Sequence, residues 1–126
     1  IRYASASPDQ EKLQAEVTEI LEKECAAAKA ADVQTWNRYS DEFHLVFYRY
    51  CNNSRLAESA ERLRSGISIF SNQYCRETVI QTRIDEEHLA IFQAYKDGDI
   101  EKAVQMMKTH LNDSLNYALR FLPKTF

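Results

Sequence analysis

The chain has 126 residues and a formal net charge of −3; 44% of its residues are hydrophobic and 28% charged. That length suits one buried core and one domain over residues 1–126, and the charge offers no basic footprint for nucleic acid, so any DNA contact has to come from elsewhere. Two glycines and two prolines allow too few turns for a β fold, which makes helices the expectation.

In chain order, the first helix opens at Ser7-Pro8-Asp9-Gln10, with Ser7 as cap, Pro8 in the first turn and Gln10 completing a capping box. It is expected to reach about Ala30, with Leu13, Val17, Ile20, Leu21 and Glu24 or Cys25 on one stripe. Asp32 caps a second helix that extends to about Cys51, and Asn52-Asn53 forms a stop and restart. A third helix runs from Ser54 to near Tyr74, carrying Leu56, Leu63, Ile67 and Phe70. The stretch from Cys75 to Ile84 reads equally as continued helix or bend. Asp85 is expected to cap a fourth helix that ends at Asp97-Gly98, and Asp99 a fifth that runs to Leu122 and stops at Pro123.

Cys25, Cys51 and Cys75 are odd in number and widely spaced, with no CxxC, which argues against a disulfide framework and a thiolate zinc site. Free thiols fit a reducing cytoplasm. No apolar run approaches the roughly 18 residues of a membrane helix, and no signal segment opens the chain. Because the first residue is Ile1, a fragment of a longer polypeptide is expected.

The three histidines all fall on apolar faces. His44 shares a side with Val33, Trp36, Ser40, Phe47 and Cys51; His88 leads Ile91, Phe92 and Tyr95; His110 follows Ala103, Met106 and Met107 and precedes Ser114, Tyr117 and Phe121. One inward histidine is ordinarily a hydrogen-bonded core residue. Three from different helices are costly to bury without partners, whereas one divalent cation accepts a lone pair from each neutral ring. Asp41 and Asp85 each stand three residues before a histidine, as a ligand or as an outer acceptor that fixes the ring tautomer. For Asp41 the plainer alternative is a solvated carboxylate paired with Arg38 or Arg49; for Asp85 it is the helix cap.

The segment EEHLAIFQAYKDGDIEKAVQMMKTHLNDSL resembles the end of the FadR C-terminal (FCD) domain, the ligand-sensing half of GntR-family bacterial transcription regulators. The shared features are an EH pair, Ala94, a Gly98-Asp99 turn, then an Ala103 helix with Met107 and His110-Leu111. Upstream, DEFHLVFYRYCNNSRL is similar to that family's Phe-His helix through Phe43, His44, Asn53 and Leu56. The likeness runs from about Ser7 to Ser114. It implies an all-α antiparallel bundle of five to six helices, here incomplete at the N-terminus, with a metal at its centre and a small effector above it.

Carried over residue by residue, the family's ligands fall on His44, His88 and His110. The family's Asp or Asn one turn before the first histidine is replaced by Ser40, with Asp41 displaced by one: Ser40 lies about 40° from His44 on the core side and Asp41 about 60° away toward the flank. Either water or an effector carboxylate completes the shell, or Asp41 takes the fourth place. Zinc or nickel is the first expectation for the divalent ion, with iron and manganese also suited. A small carboxylate would sit at the open positions, with Ser40, Tyr48, Ser114 and Tyr117 as wall residues, and one of Arg55, Arg62, Arg64 and Arg76 is a further candidate for facing it. The resemblance also implies a homodimer and DNA binding only through a winged-helix domain absent from this chain, together with the family's first sensor helix.

Two rivals are open. An enzyme with a carboxylate-bridged two-metal centre would use Asp41 with His44, Asp85 with His88, and an acid such as Glu16, Glu19 or Glu24, but leaves His110 unexplained. A metal-free helical interaction module would use the histidines as core residues. With no phosphate-binding glycine loop, nucleophilic elbow or Cys-His pair in the sequence, an enzyme is not the expectation.

Overall fold

In the computed structural model of the chain, residues 1–74 and 76–120 are described, 67–74 by their backbone alone. The described residues form an all-α bundle: α1 (Arg2–Ser5), α2 (Gln10–Lys29), α3 (Val33–Arg49), α4 (Ser54–Tyr74), α5 (Thr78–Lys96) and α6 (Ile100–Leu119). α2 packs on α3 and α5, α4 lies against α3, and α6 lies against α5. The short α1 was not expected. It is tied down by Gln10, whose side-chain amide donates to the carbonyls of Ala4 at 2.6 Å and Ser7 at 3.0 Å. That use of Gln10 displaces the expected capping box: the helix begins at Gln10 itself, and the Ser7 hydroxyl accepts from the Asp9 N–H instead.

The junctions follow from local chemistry. Asp32 accepts from the Thr35 N–H at 3.2 Å, Asn53 from the Leu56 N–H at 3.1 Å, and Asp99 from the Lys102 N–H at 3.3 Å, so each of α3, α4 and α6 starts on a side-chain cap. α2 and α5 end alike, with a left-handed residue and a bond from the next N–H back to the carbonyl five residues earlier. At α5 the residue is Gly98 (φ 79°), with Asp99 N–H reaching Ala94. At α2 it is Ala31 (φ 55°), with Asp32 N–H reaching Ala27, so a Cβ is carried where glycine is favoured.

The main core joins Leu13, Val17, Ile20 and Leu21 of α2 to Phe43, Val46 and Phe47 of α3, Ile91, Phe92 and Tyr95 of α5, and Ala103 of α6. A second cluster, Ala27, Ala28, Trp36 and Ile84, packs at the other end of the α2, α3 and α5 seam. Each large apolar side chain buried here contributes about 1.5–3 kcal/mol.

Two expectations are corrected. α5 starts at Thr78, so Asp85 lies inside the helix, and no end with free N–H groups exists there for it to cap. Leu63 is 69% exposed: it lies about 20° from Leu56 on the side away from Ala60 and Arg64, at the outer edge of the face that α4 turns inward. The expected Ile67 and Phe70 contacts, Phe121 on the last stripe, Cys75 and the stop at Pro123 lie outside the described residues or side chains. No helix among the described residues is long and apolar enough to cross a membrane.

Candidate metal centre

His44 on α3, His88 on α5 and His110 on α6 converge in the bundle. They are 7%, 0% and 4% exposed, and one ring nitrogen from each lies within 4.8 Å of the other two. Among the described residues no other group of three or more such donors gathers. The helical register explains the convergence: Phe43 beside His44 stacks on the His88 ring at 4.1 Å between centroids, and the His44 ring lies parallel to that of His110 at 5.3 Å. The aromatic contacts hold all three rings in the buried interior.

The hydrogen bonds around the rings set their protonation. His88 Nδ1 lies 3.0 and 3.1 Å from the two carboxylate oxygens of Glu24, and His110 Nδ1 lies 2.7 Å from Glu87 Oε2. A carboxylate requires a proton on the nitrogen it faces, so each Nδ1 is the donor and each Nε2 carries a lone pair. Yet the two Nε2 atoms face each other at 3.1 Å. Two lone pairs do not stabilise one another at that range, whereas the edge of a tetrahedral site with metal–nitrogen bonds of about 2.0–2.1 Å is about 3.3 Å. The donor set therefore fits a shared cation.

Electrostatics agree. Burial first, then the neighbouring charges, hold His44 well below the ordinary value of 6.5; burial takes His88 down to about 3 and His110 to about 4. All three rings are neutral near neutral pH and have lone pairs to offer. Arg64 on α4 contributes to this depression at every ring.

Beneath His88 lies a chain of polar groups. Trp36 Nε1 donates to Asp85 Oδ1 at 2.9 Å, and Asp85 and Ser40 hydrogen-bond to Glu24. Burial pushes Glu24 up to about 7, with the bonds from Asp85 and Ser40 pulling the other way; burial and then Glu24 push Asp85 up to about 8. Their mutual bond lowers Glu24 and raises Asp85, so Asp85 is its donor and Glu24 its acceptor.

The remaining sequence candidates are distributed around this centre. Asp41 Oδ1 accepts from Arg64 Nη2 at 2.7 Å and Nε at 3.2 Å, and Asp41 stands outside the converging donors. Its partner is Arg64, not Arg38 or Arg49; Arg49 pairs with Glu42, and Arg38 lies over the Tyr39 ring. The two Asp-x-x-His echoes thus diverge: Asp41 faces an arginine on α4, Asp85 a tryptophan on α3. Ser40 is buried beside Glu24, Tyr48 is 38% exposed, and Ser114 and Tyr117 are half-buried, Tyr117 with Arg83 above its ring at 5.9 Å. A cleft of about 420 Å³ between α5 and α6 reaches His110 from the side and is lined by Arg83, Glu87, Met106, Thr109 and Asp113 among others.

Sequence reasoning placed Glu24 on the buried stripe but gave it no part in the histidine site outside the two-metal alternative. The available signal was an acid at a position whose neighbours Ile20, Leu21, Ala27 and Ala28 are all core. Glu16 and Glu19 go elsewhere, to Tyr50 and Lys23. Glu87 had no sequence signal beyond its adjacency to His88.

The FCD domain family matches residues 1–113. Comparison with curated proteins and with solved structures gives no match. The resemblance read from the histidine segments and the family match cover nearly the same residues, and the chain belongs to the FCD domain family of regulatory, effector-sensing domains.

Proposed function

We propose that the domain is the sensing part of a GntR-family transcriptional regulator and holds one divalent metal ion, zinc or nickel first, through His44, His88 and His110. The observation that carries this reading is the pair of Nε2 atoms facing each other at 3.1 Å while both Nδ1 atoms are engaged by carboxylates. When bound, the ion supplies a Lewis-acidic anchor for a small carboxylate. Ser40, Tyr48, Ser114 and Tyr117 remain the proposed wall residues. Asp41 would join the shell only by leaving Arg64, so water or the effector carboxylate is the favoured fourth partner.

The three contributing helices explain how binding would be read out. The effector would bias the mutual arrangement of α3, α5 and α6 because each contributes one histidine, and a winged-helix domain of a dimeric, cytoplasmic regulator would read that bias as a change in operator affinity. Nothing in this scheme transforms the effector. The two-metal enzyme loses support because the acids it needs are otherwise engaged, Asp41 with Arg64 and Asp85 with Trp36 and Glu24.

The test is elemental analysis of protein purified without an affinity metal, followed by a thermal-shift screen of small carboxylic acids with and without the ion. About one ion per chain, and acids that stabilise only the ion-loaded form, support the proposal. Two redox-active ions would favour the enzyme, and no ion at all the metal-free module.

A further inference from the structure

Glu24 is fully buried in α2, on a stripe otherwise given to Leu13, Val17, Ile20 and Leu21. A carboxylate there is costly, since an ionised group loses its hydration and regains it only through well-placed hydrogen bonds. The surroundings are built to supply them from two neighbouring helices, α3 and α5. Ser40 and Asp85 hydrogen-bond to the carboxylate, Trp36 holds Asp85 at 2.9 Å, and both carboxylate oxygens face a single nitrogen, His88 Nδ1. An apolar residue would fill this place without such support, so the arrangement serves the ring it faces.

Resting on the metal-site reading above, we infer that Glu24 is a positioning residue of that site: it accepts the Nδ1–H of His88, holds the ring in the tautomer whose Nε2 lone pair faces His110 Nε2, and places behind that ring a carboxyl group that a bound cation would draw into its charged form. It does so from another helix and without joining the converging donors. Glu87 faces His110 Nδ1 in the corresponding way, but its side chain is 28% exposed and also lies 3.7 Å from Arg83, so solvent and a cation weaken its hold. Of the two outer carboxylates, Glu24 is the one sealed from solvent. His88 is thus held by Glu24 on one side and stacked on Phe43 on its face.

The experiment has two arms on the full 126-residue chain. The first needs no variant: ring ¹⁵N shifts of His88 in the metal-free wild-type protein are expected to show a protonated Nδ1 and an unprotonated Nε2, and a protonated Nε2 overturns the inference. The second measures zinc affinity by competition with a chromophoric chelator, and the Co²⁺ visible spectrum, for wild type, Glu24→Gln and Glu24→Leu. Glu24→Gln, which keeps shape and one acceptor, is expected to weaken zinc by about 10-fold, and Glu24→Leu by about 100-fold, with a changed Co²⁺ spectrum in the leucine variant. Equal zinc affinity in wild type and Glu24→Gln overturns the role of Glu24 while leaving the three-histidine site standing. A wild-type chain that binds neither zinc nor Co²⁺ overturns the site itself, and the two failures are thereby told apart.

Discussion

His110→Ala gives the cleanest reading of the centre. His88 also partners the sealed Glu24, so its loss would leave a buried carboxylate unpaired; His110 is bonded outward to Glu87, whose side chain reaches solvent when released. Unfolding entropy of about 2.1 cal/mol/K per residue converts 1 kcal/mol into about 4 °C of Tm for this chain. With free zinc at about 100 times Kd, linkage stabilises the wild type by about 2.7 kcal/mol, or about 10 °C. Removing one of three protein ligands weakens the ion at least about 100-fold, and at the same zinc concentration the remaining stabilisation is about 0.4 kcal/mol, under about 2 °C. The assay is differential scanning calorimetry of each protein with zinc and after chelation. The quantity compared is the metal-dependent shift, because truncating a buried ring lowers the metal-free Tm in any case. An undiminished shift in His110→Ala would refute the reasoning.

Other outcomes follow from the same geometry. Trp36→Phe removes the donor on Asp85 and some buried ring volume, and is expected to cost about 2–4 kcal/mol by chemical denaturation. The double substitution Asp41→Ala with Arg64→Ala deletes a half-buried ion pair at constant net charge; zinc affinity should stay within about threefold, and a loss of about 10-fold or more would place Asp41 among the ligands. Ala31→Gly should stabilise by up to about 1 kcal/mol and Gly98→Ala should destabilise by about 1 kcal/mol, both without altering metal affinity, since each changes a left-handed residue at a helix end. In the metal-free protein, rings held below their ordinary 6.5 bind fewer protons folded than unfolded, so stability falls as pH drops below about 6.5. Glu24 and Asp85, raised from 4.5 and 3.8, hold protons that the unfolded chain has released; their contribution is full below those ordinary values and is lost as pH rises through about 7 and about 8. Tm should therefore pass through a maximum near pH 6.5, and Asp85→Asn should flatten the alkaline side; a curve rising steadily to pH 9 would contradict the bond from Asp85 to Glu24.

Much of the frame was legible in the order of residues. Asp32, Asn53 and Asp99 act within a few residues of themselves, so the starts of α3, α4 and α6 could be read directly, and so could the inward faces of His44, His88 and His110. The start of α5 was misplaced because Asp85 has the chemistry of a cap, and only Trp36, 49 residues away, shows that its oxygen is used across the seam. Leu63 was misplaced for a related reason: helical periodicity defines an apolar stripe but not how far a neighbouring helix covers it, and α4 turns Ala60 and Arg64 inward instead.

By itself the sequence determined which side chains share a helix face, since that depends only on the turn per residue and on caps bonded within one turn. The three-dimensional packing alone decided which faces meet. It set Glu24 against His88 across 64 residues and His88 against His110 across 22, and gave Asp41 to Arg64. Such pairings carry no local signature, because hydrogen bonds and burial depend on distance in space, and a carboxylate is equally at home on a solvated surface or beneath an imidazole until the neighbouring helices close over it.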